Sequence, residues 1–137
     1  MKNVLITGGA GYIGSKITTD FVNKKNNVVV VDDLSSGHRS LVNKKAKFVK
    51  QNISYKNKLK KIIIDNNIQI IVHCAASIDV SEGEKNKKKY YNNNVRNTEY
   101  WLQSLKGTKV KYFIFSSTCA VYGGSSKIVS EKSILKP

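Results

Sequence analysis

Short apolar runs alternate with amphipathic stretches along this chain of 137 residues. Val4-Leu5-Ile6, Val28-Val29-Val30-Val31, Ile68 to Cys74 and Val110 to Phe115 are strand-length and mostly apolar on both faces. Runs of that kind belong to strands covered on both sides, as in a parallel sheet. They predict strands over residues 3–7, 27–32, 68–74 and 110–115, with Lys47-Phe48-Val49-Lys50 as a short additional one. The intervening stretches carry helical spacing. One helix is predicted over residues 12–24. A second runs from a Ser54 cap to about Asn66, with Leu59, Ile62 and Ile63 on one face and Asn66-Asn67 as its breaker. A long third helix is predicted over 84–106, with Tyr90, Tyr91, Asn94, Trp101, Leu102 and Leu105 in register and Gly107 as its C-terminal cap. From Ser116 onward the pattern is that of a loop.

Strands alternating with helices predict an α/β fold: a doubly wound parallel sheet of about five strands in the order 3-2-1-4-5. Right-handed crossovers place the first helix on one face and the two later helices on the other. One face of strands four and five is then left without a covering helix, although Ile70, Ile71, Val72, Phe113, Ile114 and Phe115 are apolar on both sides. In this topology a ligand binds beyond the carboxyl ends of the strands, where the order reverses between strands one and four.

Thr7-Gly8-Gly9-Ala10-Gly11-Tyr12-Ile13-Gly14-Ser15 falls at that place, between the first strand and the first helix. Gly8 permits the tight turn, Gly11 lets backbone approach a pyrophosphate, and Gly14 allows close helix packing. The helix N-terminus offers unpaired N–H groups to the anion. Asp32 closes the second strand, where a carboxylate accepts hydrogen bonds from an adenosine ribose and repels a 2′-phosphate. The pattern therefore predicts a Rossmann-like domain that binds NAD.

Charge changes this picture little. Lysine and arginine number 24 against 9 acidic residues, a net charge of +15. The basic residues are dispersed, with local clusters at Lys44-Lys45, Lys56 to Lys61 and Lys85 to Lys89, and no aromatic residues alternate with them as stacking platforms would. A solvated surface with weak, salt-sensitive attraction to polyanions is expected, without a specific nucleic-acid partner. Cys74 and Cys119 lack metal-ligand spacing and read as two buried, reduced thiols of a cytoplasmic protein. The N-terminus is a strand and a glycine loop rather than a signal sequence, and no apolar run is long enough to span a bilayer.

Taken together, Thr7 to Ser15, Val30 to Ser40, His73 to Ser77, Tyr90 to Thr98 and Phe115 to Gly123 resemble the N-terminal part of UDP-glucose 4-epimerases, of the extended short-chain dehydrogenase/reductase class. Tyr12, the run Asp32 to Arg39 and Asn93-Asn94-Val95 carry the narrower likeness; a related nucleotide-sugar dehydratase or decarboxylase is the neighbouring reading. The resemblance implies NAD as cofactor and a UDP-sugar as substrate, inverted at C4 by transient oxidation. It places Tyr12 and Ile13 against the pyrophosphate, and Asp32, Asp33, Leu34, Ser35, Ser36 and Gly37 around the adenosine ribose. Asn52 and Ile53 would meet the adenine. Cys74, Ala75, Ala76, Ser77 and Ile78 would line the cofactor behind strand four, with Asn93 reaching it from the long helix and Ser116 beside it. Thr118 takes the position of the catalytic hydroxyl, whose alternative role is to cap backbone at a strand end.

Two departures stand out. Asn52 occupies a position where the family usually has aspartate, and the stretch before Tyr90 reads Asn86-Lys87-Lys88-Lys89 instead of carrying a proline and an apolar residue. The family's Tyr-x-x-x-Lys base does not occur downstream of Thr118; the one matching pair, Tyr12 with Lys16, lies in the phosphate loop. Residues 1–137 are thus expected to be an incomplete NAD-binding domain without its C-terminal substrate domain, inactive alone. A gene fragment, one half of a split enzyme and part of a longer protein all fit. The alternative is a stand-alone NAD-binding partner or regulator, pairing through the helix 84–106 with Tyr91, Trp101 and Leu105 available. An exposed fifth-strand edge predicts marginal stability. A thermal melt is expected to fall no higher than the roughly 45–65 °C of ordinary mesophile domains, and a cooperative transition well above it would contradict this.

Overall fold

The computed structural model describes residues 1–124 and 128–136. Five strands, β1 (Asn3–Thr7), β2 (Asn27–Asp32), β3 (Lys47–Lys50), β4 (Ile70–His73) and β5 (Tyr112–Phe115), form one sheet in the order β3-β2-β1-β4-β5. Every pairing is parallel, with β1 central between β2 and β4. This is the expected doubly wound topology. Among the described residues, no helix is long and apolar enough to cross a membrane.

Period-two alternation explains why the strand runs are apolar throughout. Val4, Ile6, Val28, Val30 and Val72 point to one face, where α1 (Tyr12–Asn23) covers them with Ile17 and Phe21. Leu5, Val29, Val31 and Ile71 point to the other, against Leu59 and Ile63 of α2 (Lys56–Asp65) and the fully buried Trp101. Consecutive residues thus serve two separate cores.

The expected bare face holds for β5 only. Tyr112 and Ile114 are 61% and 50% exposed, whereas Val72 of β4 is buried in the α1-side core at 3%. As an interior strand beside β1, β4 falls within reach of the layer that α1 and its flanking loops provide; β5, at the edge, does not.

Both α1 and α2 end in a Schellman arrangement. The N–H groups of Lys25 and Asn26 bond to the carbonyls of Val22 and Phe21, and those of Asn67 and Ile68 to Ile64 and Ile63. Lys25 and Asn67 take the left-handed conformation this turn requires, at φ 57° and 50°. At the start of α2 the expected Ser54 cap is not formed. Tyr55 holds the N-cap position without a side-chain bond, and the Ser54 N–H instead donates to Asn52 Oδ1 at 2.8 Å.

The long helix expected over 84–106 is broken. It begins earlier, at α3 (Val80–Lys85), because Asp79 accepts a hydrogen bond from the Glu82 N–H at 2.8 Å. Asp79-x-x-Glu82 is the sequence signal that was missed. Asn86, at φ −128° and ψ 49°, separates α3 from α4 (Lys87–Tyr91), and a π-helical turn over Asn92–Arg96 leads into α5 (Asn97–Gln103). The break costs little backbone bonding, since the Asn86 N–H reaches the Glu82 carbonyl and its own carbonyl accepts from Tyr90. Tyr90 is folded back over Gly83 and donates to Glu82 Oε2 at 3.0 Å, which fixes α3 on α4. Trp101 is not available to a partner, and Leu105 packs against the same core; Tyr91, 56% exposed, remains on the surface.

His73 ties the layers together. It is 2% exposed at the end of β4, with Nδ1 at 2.6 Å from Thr7 Oγ1 of β1 and Nε2 at 3.2 Å from Thr98 Oγ1 of α5. Trp101, Phe113 and Phe115 surround its ring, with centroids 5.3 to 5.9 Å away. Burial lowers its pKa from 6.5 to about 4. The unfolded chain therefore binds the proton first as pH falls. The stability that neutral His73 contributes is complete above pH 6.5 and is lost as the pH drops toward about 4. That depression corresponds to about 3 kcal/mol. Denaturant titrations between pH 7 and pH 4 are expected to show the loss, and His73→Gln, destabilised at pH 7, is expected to flatten that part of the profile.

Candidate functional site

At the carboxyl ends of β1, β2 and β4 three loops meet. The first turns at Gly8, which has φ +71° and no room for a side chain: a Cβ there would lie 2.6 Å from the Ala75 nitrogen. The loop after β4 therefore packs directly on the glycine turn. Gly14, in the first turn of α1, is equally constrained, since its Cβ would fall 2.3 Å from the Gly8 carbonyl oxygen. Gly11 differs. A Cβ on it would meet only the Gly8 oxygen, at 3.3 Å, so its outer side is open. Gly8 and Gly14 close the turn on itself, and Gly11 presents bare backbone at the N-terminus of α1. That first turn has neither a side-chain cap nor an acidic residue, which leaves its N–H groups suited to an anion.

Asp32 links this turn to the loop after β2. Its Oδ2 accepts the Ala10 N–H at 3.0 Å and its Oδ1 the Leu34 N–H at 2.8 Å. Leu34 is held in the left-handed region, at φ +63°. The loop then returns to the glycine turn: the His38 N–H bonds to the Ala10 carbonyl at 2.9 Å, and a Cβ on Gly37 would lie 2.9 Å from the Ala10 carbonyl carbon. Asp33 accepts from the Ser35 N–H at 2.9 Å and from Asn52 Nδ2 at 2.5 Å. Partial burial alone would raise the Asp33 carboxyl, but the hydrogen bonds from Ser35 and Asn52 outweigh it and hold the pKa below its ordinary value. Ser36 lies between Ser35 and Gly37 in the same loop. Asn52 thus faces Asp33 as a donor, which a second carboxylate could not do. Ile53 turns its side chain into the α2-side core, so a ligand would meet its backbone alone.

The third loop runs through Cys74, Ala75, Ala76, Ser77 and Ile78. Asn94 clamps its backbone, accepting the Ser77 N–H at 2.8 Å and donating to the Ser77 carbonyl at 2.9 Å. Asn93 donates to the Ser77 hydroxyl at 3.1 Å. The clamp was not foreseen; its signal is the second asparagine beside Asn93. Both asparagines sit on the π-helical turn. Tyr12 and Ile13 on α1 and Ile78 are 85%, 55% and 84% exposed, apolar surface at the rim of the cleft. Cys74 is half-buried and Cys119 exposed, not the two buried thiols expected. Burial raises the Cys74 pKa, with a hydrogen bond from Ser116 opposing it. Thr118, beyond β5, accepts the Ala120 N–H at 3.2 Å and caps a single helical turn over Cys119–Tyr122.

The chain is similar to known proteins along nearly its whole length. Residues 4–137 match the family model described as the NAD dependent epimerase/dehydratase family. The chain belongs to that family. A UDP-glucose 4-epimerase of Lactobacillus helveticus is 42% identical over 135 residues, covering 98% of this chain and 41% of the relative. One from Klebsiella pneumoniae is 33% identical over 132 residues, 91% of this chain and 95% of that sequence. A crystal structure of UDP-glucose 4-epimerase from Brucella ovis in complex with NAD superposes with a TM-score of 0.89 at 36% identity, covering all of this chain and 42% of that one. The UDP-Glc/GlcNAc 4-epimerase of Campylobacter jejuni gives 0.89 at 38% identity, over 100% and 44%. The chain therefore spans about two fifths of most of these relatives.

Within this family fold the three glycines separate by role. Gly14→Ala is expected to destabilise the protein by about 1–3 kcal/mol or more, as overpacking does. Gly11→Ala, at the N-cap with only the Gly8 oxygen in its way, is expected to cost no more than about 1 kcal/mol and to weaken NAD binding at least about tenfold. Melts and calorimetric titration of the two variants, side by side, check the contrast.

Proposed function

We propose that residues 1–137 form the NAD-binding part of a UDP-glucose 4-epimerase. The observation that carries this reading is the open backbone at Gly11, set beside an Asp32 carboxylate already fixed by the Ala10 and Leu34 N–H groups. The pyrophosphate of NAD would rest on the first turn of α1, beneath Tyr12 and Ile13. The adenosine ribose would bond the remaining lone pairs of Asp32, within the loop Asp33 to Gly37, and the adenine would lie near Asn52 and the backbone of Ile53. The nicotinamide end would extend along Cys74 to Ile78, which Asn93 and Asn94 hold in place, with Ser116 beside it.

When bound, NAD would supply the hydride acceptor for transient oxidation of a UDP-sugar at C4. In this chain the Thr118 hydroxyl would orient the sugar oxygen, exchanging its present bond from Ala120 for one to substrate. A tyrosine base with its lysine does not follow Thr118 within these residues, so proton removal would need groups from another segment or chain. The exposed Tyr112 and Ile114 of β5 are the apolar surface such a segment would cover. A partner meeting the α4–α5 side would find Tyr91, Val95 and Tyr100, since Trp101 and Leu105 are committed to the core.

Isothermal titration with NAD and with NADP tests the reading. NAD is expected to bind and NADP to bind at least about tenfold more weakly, because its 2′-phosphate would face Asp32. No turnover of UDP-galactose by these residues alone is expected. Equal affinity for both cofactors would overturn the role of Asp32, and turnover would overturn the need for an added base.

A further inference from the structure

The two ends of the sheet differ in charge, and the difference follows from topology. All five strands are parallel, so every connection into a strand lies at one end and every connection out of it at the other. Asp32, Asp33 and Asp79 lie in the outgoing loops, around the cleft, where Arg39 and Lys50 are the exposed basic residues at β2 and β3. The incoming end carries exposed lysines: Lys2 before β1, Lys25 before β2, Lys45 and Lys47 at β3, and Lys109 and Lys111 before β5. Its acids are Asp20, in the last turn of α1, and Asp65, which is paired with Lys61 at 3.1 Å.

Two of these lysines, Lys45 and Lys47, line a groove of about 350 Å³ at the starts of β1 and β2, with Asn3, Asn26, Asn27, Asn66, Asn67 and the Lys61-paired Asp65 in its wall. The asparagines are cross-linked. Asn27 donates to Asn3 Oδ1 at 2.8 Å, and Asn3 donates to the Asn67 carbonyl at 3.2 Å. Lys47 and Lys109 donate to the side-chain oxygens of Asn66 and Asn67 at 2.8 and 2.7 Å, which fixes two ammonium groups beside these asparagines. The result is a cross-linked amide surface with lysines around it, and it faces away from the cofactor cleft.

We propose that this groove binds the phosphodiester backbone of a single-stranded nucleic acid without regard to sequence. Ammonium groups spaced over several strand widths match successive phosphates, and asparagine amides match phosphate and sugar oxygens. No base-stacking platform is present among the described residues of the groove, so affinity comes from counterion release and carries no base preference. A membrane surface fits less well, because among the described residues no amphipathic helix presents an apolar face at this end.

Fluorescence anisotropy of the full chain with a labelled 12-nucleotide oligouridylate, titrated with salt, tests this. Engagement of about five lysines gives a slope of log K against log salt near −3.5. The variant Lys2→Gln, Lys25→Gln, Lys45→Gln, Lys111→Gln removes charges whose side chains make no hydrogen bond among the described residues, so its fold is expected to survive. Its slope is expected to flatten by about 3. Lys85→Gln, Lys87→Gln, Lys88→Gln, Lys89→Gln removes equal charge elsewhere and is expected to change the slope by less than about 1. Saturating NAD is expected to leave oligonucleotide affinity unchanged. Equal losses in the two variants, competition by NAD, or tighter binding to phosphatidylserine vesicles than to the oligonucleotide would each overturn the proposal. Competition by NAD apart, none of these outcomes bears on whether NAD binds the cleft.

Discussion

One carboxylate holds the cleft in shape. Asp32 spans two loops by accepting backbone N–H groups from Ala10 and Leu34. Hydrogen bonds to a charged acceptor contribute roughly 1.5–3 kcal/mol each, about twice the neutral kind. They offset the cost of keeping Leu34 left-handed. With them the glycine turn and the loop after β2 form a single surface. Without them, nothing else seen at the junction joins the two except the His38 bond to Ala10 and the close contact at Gly37.

A second tie does the same for the other wall. His73 joins β1, β4 and α5 through Thr7 and Thr98, and just beyond it Asn94 clamps Ser77. The broken helix serves this arrangement. The π-helical turn carries both asparagines to the loop after β4, while α5 follows with Trp101 in the core. The cleft is thus built from backbone N–H groups, amides and two fixed carboxylates, Asp32 and Asp33, a set suited to holding a charged dinucleotide. The far end of the sheet instead carries exposed lysine side chains beside asparagine amides.

Much of the sheet was legible because each strand is its own signal. β1, β2 and β3 appear with the predicted bounds, and the order follows from the right-handed crossover rule. The roles of Gly8, Gly11 and Gly14 follow from spacing, and the structure separates them by the space each has. What was misread depended on distant partners. Helical periodicity over 84–106 carries no mark of the break at Asn86, which exists because Tyr90 folds over Gly83 and bonds Glu82. Tyr91 and Trp101 look equivalent in sequence, yet one is exposed and the other fully buried. Asn52 could be read as an altered acceptor; only its placement opposite Asp33 shows it acting as a donor.

By itself the sequence determined the parallel sheet, the strand order, the glycine turn and the acid at the end of β2. These are local: they depend on run length, period and the steric freedom of glycine. Tertiary structure decided which apolar residues are buried, where the third helical segment breaks, and which hydrogen bonds fix Asp32, Asp33, Ser77 and Thr118. Those depend on groups tens of residues apart meeting across the sheet, and a pattern read along one chain does not encode that meeting.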